Sequence, residues 1–117
     1  MLYETAFLDF EAMSAYIPSS LNMFLLVQGT ACVYGDGIYF ARDAEYSHRY
    51  ASPDENGVHT VLLCKIAIGR TCKGIKGMQK PELDCHSAVN DLYNPTIYVI
   101  FDKDQIIPLW IIEYTTA

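Results

Sequence analysis

The chain has 117 residues, a formal net charge of -6, 51% hydrophobic residues and 19% charged ones. That length predicts one domain able to bury a core without staples. An acidic chain is a poor footprint for a nucleic-acid groove, and the longest apolar runs, MFLLV and TIYVIF, are too short to span a bilayer as helices.

The opening, MLYETAFLDF, has no basic stretch ahead of an apolar one, so no signal peptide is predicted. The expected setting is intracellular and reducing, nucleus or cytoplasm. Tyr3, Phe7, Phe10, Met13 and Ile17 recur at helical spacing, which predicts an amphipathic helix over 3–17 ended by Pro18. Residues 19–29, SSLNMFLLVQG, read as a short helix or an apolar loop. Gly35 and Gly37 flank Asp36 and permit positive φ or close backbone approach. IYFA (38–41) reads as a short strand, and RDAEYSHRY as a helix with Asp43 at its N-cap. SPDENG (52–57) is turn chemistry.

VHTVLLCKIAIG (58–69) alternates as a strand, with Val58, Leu62, Cys64, Ile66 and Ile68 on one face. Residues 70–95 carry little periodicity and read as one long loop, a feature that usually has a function. TIYVIF reads as a strand buried on both faces, and DKDQ as a turn rather than a calcium loop. IIPLWIIEY reads as an edge piece and a last strand, with Pro108 at the break. The fold class is α+β, with strands dominating the C-terminal half.

The cysteines Cys32, Cys64, Cys72 and Cys85 form no CxxC pair, so no metal is predicted. His48 and His86 read as solvated or capping residues and His59 as a strand-face residue. The dense feature is aromatic: Tyr34, Tyr39, Phe40, Tyr46 and Tyr50 fall in one turn-strand-helix unit. Such a group either packs or forms a slot for a flat charged ring.

YGDGIYFARDAEYS resembles the core motif of the poly(ADP-ribose) polymerase family of NAD-dependent ADP-ribosyltransferases. That motif is Tyr-Gly-x-Gly-(Ile/Val/Thr)-Tyr-Phe-Ala followed by Ala-x-Tyr-Ser. VLLCKIAIG, HSAV and NPTIYVIFDKDQIIPLWIIEY are similar, in order, to the family's later strands. FARDAEYSH and DKDQ are most similar to members that also carry CCCH zinc fingers. The likeness covers 29–114. It implies a single partial catalytic domain over 1–117, with a divergent helical segment at 1–28 and a family-like core at 29–114. The implied fold is ADP-ribosyltransferase-like, of mixed and antiparallel sheets with few short helices, incomplete at the N-terminus.

The same resemblance implies NAD+ as co-substrate without a metal, a protein acceptor of unknown identity, and release of nicotinamide. Tyr39 matches the tyrosine of the family's His-Tyr-Glu triad, and Tyr50 matches the second ring stacked on nicotinamide. Ser47 matches the hydroxyl that bonds the carboxamide, and Ala41 belongs to the same NAD+ site. The third triad position falls on Ile97, an apolar residue that goes in the family with transfer of a single ADP-ribose. No histidine precedes His48 to supply the family's His-Gly pair, and QGT (28–30) reads as the end of the donor loop. Losing those bonds, at about 1–1.5 kcal/mol each, leaves an expected NAD+ affinity no better than millimolar and turnover that is barely detectable or absent. The alternative function is a catalytically inactive binding or scaffold module.

Overall fold

The computed structural model describes residues 20–26 and 32–116, so the helix expected over 3–17 and the QGT segment lie outside the described residues. Seven strands form one sheet: β1 (Ser20–Leu25), β2 (Ile38–Ala41), β3 (Val58–Ala67), β4 (Thr71–Lys73), β5 (Ser87–Val89), β6 (Ile97–Ile100) and β7 (Ile106–Thr115). A helix, α1 (Ala44–His48), follows β2, and a 3-10 turn covers Lys103–Gln105. The strand order is β4-β5-β6-β2-β1-β3-β7, with only β4 and β5 parallel. Among the described residues, the expected α+β class, mixed sheet and scarcity of helix are all present.

Three expectations need correction. Residues 20–25, read as a helix or a loop, are a central strand between β2 and β3. Met23 is fully buried there, and Leu21 pairs with Ile66 while Leu25 pairs with Phe40. The segment SLNMFL mixes Ser20 and Asn22 with four apolar residues and is too short to declare a period, so pairing decides its state. Residues 70–95 are also not one loop. They contain β4 and β5, three residues each, which register Thr71 opposite Ser87. β7 is one strand rather than two pieces: Leu63 faces Trp110 but Cys64 faces Pro108, so Leu109 is the extra residue of a bulge. Pro108 sits on the edge strand, where its missing N–H does little harm.

The sheet cannot be flat. β3 and β4 stand five positions apart in it, about 24 Å at ordinary strand spacing. The link between them is only Ile68–Arg70, whose reach is about 14 Å. The sheet therefore rolls, and polar side chains close the seam. The Ser87 hydroxyl donates to the Ile68 carbonyl at 2.8 Å, and the Gln105 amide donates to the Ala67 carbonyl at 2.8 Å. Met23, Phe40, Cys64, Ile66, Ile68, Val89, Tyr98 and Ile100 fill the interior of the roll.

Strand alternation sends the other side chains to the opposite face. Leu26, Tyr39, Ala41, Cys72, Ala88, Ile97 and Val99 form a second cluster there. All four residues of β6 are buried because its two faces feed the two clusters. α1 lies beside this second cluster, and its Tyr46 and the following Tyr50 pack on it.

Candidate functional site

β2 ends at Ala41, and the chain turns at Arg42 and Asp43 into α1. Asp43 occupies the N-cap position with extended backbone, but its carboxylate makes no capping bond. It is held instead by the Arg42 guanidinium at 3.2 Å, and only its carbonyl serves the helix, accepting from Tyr46 N.

Tyr39 is 4% exposed. Its phenol donates to the Gly35 carbonyl at 2.8 Å and accepts from the Tyr34 amide at 2.9 Å. Burial pushes that phenol up from its ordinary value, against a smaller opposing pull from the Tyr34 amide. One side chain thus fixes the loop ahead of its own strand. Gly35 takes φ +127, and a Cβ there would lie 2.8 Å from Phe101 Cζ. The same loop is tied to the 74–85 region, where Asp36 N donates to the Met78 carbonyl at 2.7 Å.

Ser47 is 2% exposed and its hydroxyl donates to the Leu25 carbonyl at 2.8 Å, which joins α1 to the end of β1. That bond uses the serine's hydrogen and leaves its oxygen free to accept. Tyr46 and Tyr50 stand 5.5 Å apart between ring centroids, tilted by 43°, with their oxygens 3.4 Å apart. The contact with Tyr50, then burial, pushes the Tyr46 phenol up to about 12.

Ala41 is fully buried and lies directly opposite Ile97 in the β2–β6 ladder. Ile97 is 6% exposed, and its amide donates to Asn90 Oδ1 at 3.0 Å. Tyr39, Ala41, Tyr50 and Ile97 therefore share one sheet face, with Ser47 at its margin by β1. The sequence reading missed Leu26 and the Leu25 carbonyl because β1 was unassigned. It also missed Met78 and Cys85, which reach this face from the segment read as one long loop. Tyr34 packs on the cluster as well. Among the described residues, no group of three or more His, Cys, Asp or Glu could hold a metal ion. No helix among them is long and apolar enough to cross a membrane.

Residues 12–89 match the family model described as the poly(ADP-ribose) polymerase catalytic domain. The chain belongs to this family. Human protein mono-ADP-ribosyltransferase PARP12 is 39% identical over 98 residues, which cover 78% of this chain and 14% of that protein. Mouse protein mono-ADP-ribosyltransferase PARP11 is 34% identical over 108 residues, covering 70% of this chain and 33% of that protein. The chain thus spans a third or less of these curated relatives. The crystal structure of the PARP domain of Arabidopsis RADICAL-INDUCED CELL DEATH1 superposes with a TM-score of 0.78, covering 96% of this chain and 78% of that one. At 20% identity that likeness shows the poly(ADP-ribose) polymerase fold and no more.

The burial pattern of this family domain carries a pH dependence. Burial pushes the Cys64 thiol from 9.0 up to about 11, and the Tyr46 phenol rises from 10.0 to about 12. Tyr39 and Tyr98 are raised in the same direction, mainly by burial. In each case the unfolded chain loses its proton first as pH rises, so these groups favour the native state only while all remain protonated. Chemical unfolding at stepped pH should show stability falling progressively between about pH 9 and 12. A curve that stays level across that window would contradict these buried, protonated assignments.

Proposed function

We propose that this chain supplies the nicotinamide-binding part of an NAD+-dependent mono-ADP-ribosyltransferase domain acting on protein side chains. The observation that carries the reading is the convergence of Tyr39, Tyr50 and Ser47 on one face, with aliphatic Ile97 opposite Ala41 beside them. The nicotinamide of NAD+ is a flat cation, and a phenol face attracts such a ring through its quadrupole, at about 0.5–2 kcal/mol per contact. Ser47, its hydrogen already given to Leu25, offers an acceptor to the carboxamide N–H. Cleavage of the glycosidic bond releases neutral nicotinamide and leaves an oxocarbenium-like ribose. Catalysis of that step is chiefly a matter of holding the ring and the ribose in place.

Ile97 has no carboxylate to activate a second ribose hydroxyl, so one ADP-ribose is added per site and no polymer grows. The names of the relatives, mono-ADP-ribosyltransferases, support this scope. A second reading, a catalytically silent binding module, is favoured by one feature: the Tyr39 phenol is fully engaged by its own loop. Both readings require the ring pocket. Titration with NAD+, with free nicotinamide as competitor, tests it, and labelled NAD+ separates transfer from binding alone.

A further inference from the structure

We infer that His48 is a positioning residue for this pocket, tying α1 to Tyr114 on the edge strand. The inference takes from the proposed function only what the pocket binds. α1 has five residues and no side-chain cap, so it cannot hold its own shape. Ser47 and Tyr50 are nonetheless placed by it. His48 Nδ1 hydrogen-bonds the Tyr114 hydroxyl at 2.5 Å. Its ring packs 4.7 Å from His59 and 5.6 Å from Tyr114, centroid to centroid. His59 stacks on Tyr114, its partner in the β3–β7 ladder, at 5.2 Å and 16°.

His59 also holds the far end of the same turn. A carbonyl can only accept, so His59 donates from Nδ1 to the Ala51 carbonyl at 2.6 Å. The two imidazoles therefore grip residues 48 and 51 and bracket Tyr50 between them. The backbone bonds Tyr50 N to Ser47 O and Ala51 N to His48 O, at 3.0 and 3.1 Å, complete the clamp. Through it the pocket is fixed to β7, three strands away from the strand of Tyr39. The sequence reading of His48 as solvated or capping is corrected here, because its partners lie 11 and 66 positions along the chain.

Four forms of the full chain test this: wild type, Tyr114→Phe, His48→Ala and His48→Asn. Tyr114→Phe keeps the stacked ring and removes only the hydroxyl. Nicotinamide binding is followed by ligand-observed NMR, and amide exchange is followed over residues 44–51. Tyr114→Phe and His48→Ala should each weaken nicotinamide about five-fold, the effect of one hydrogen bond, and speed exchange at Tyr50 and Ala51 by a similar factor. His48→Asn, which keeps a hydrogen-bonding group near Nδ1, should recover most of both. If His48→Ala does not fold, Tyr114→Phe decides alone. Wild-type binding and exchange in Tyr114→Phe would overturn the inference, as would a loss in His48→Ala that asparagine does not restore. Should wild type itself ignore nicotinamide, the ring-pocket reading fails and exchange alone decides: faster exchange in Tyr114→Phe upholds the positioning role, and unchanged exchange overturns it.

Discussion

Gly74→Ala should destabilise the chain by about 3 kcal/mol and disturb Tyr39 without touching it. A Cβ at residue 74 would stand 2.2 Å from the Tyr34 carbonyl oxygen and 2.7 Å from Tyr34 Cβ. The first of those atoms is backbone and cannot rotate away. Gly74 is held from the other side by its own amide, which donates to the Val89 carbonyl at 2.8 Å. The strain therefore falls on the 32–37 loop, whose Tyr34 amide bonds the Tyr39 phenol. Thermal unfolding should shift down by about 10–20 °C, with a changed near-ultraviolet signal from the tyrosines. A melting temperature within a degree or two of wild type would mean that the 32–37 loop yields freely.

Ile97→Glu should cost a similar amount, about 3–5 kcal/mol at neutral pH, by placing a carboxylate among Ala41, Val99 and Ala88 without a partner. Desolvation would raise the pKa of that new carboxyl. The variant should therefore regain part of its stability as pH falls through the protonation of that group, the reverse of ordinary acid unfolding. Ile97→Val, which only trims a methylene, should lose about 1 kcal/mol. The glutamate should not confer chain growth on any transfer activity, since a carboxylate in this packed layer spends its energy on desolvation. Long ladders from labelled NAD+ with Ile97→Glu, or an unaltered unfolding curve, would refute this.

The parts of the fold legible in the sequence are those whose signal is local. β2, α1, β3, β6 and β7 each carry a period, a turn or a β-branched run long enough to declare itself, and the aromatic motif through Tyr39, Ser47 and Tyr50 sits within them. The illegible parts are held by partners remote in sequence. β1 is strand because β2 and β3 flank it, and β4 and β5 are three-residue strands that exist only as a pair. The rolled sheet follows from a short link meeting a long strand order, which no window of sequence contains. The Leu25 carbonyl that takes the Ser47 hydrogen and the Tyr114 hydroxyl that takes His48 are likewise 22 and 66 positions away.

The central claim is that the face of Tyr39, Ser47 and Tyr50 binds the nicotinamide end of NAD+. Saturation-transfer NMR with NAD+ tests it most directly, because the nicotinamide and adenine protons report separately and millimolar affinity is within its range. The account predicts transfer to the nicotinamide protons with an apparent dissociation constant on the order of 1 mM for the chain alone. Tyr50→Ala should weaken it about ten-fold through the lost ring contact, and Ser47→Ala should weaken it less, with both variants still folded. Micromolar binding that these substitutions abolish would mean that the pocket is complete without a histidine upstream of Tyr39. No transfer to the nicotinamide protons of wild type, or transfer that Tyr50→Ala leaves unchanged, would contradict the claim.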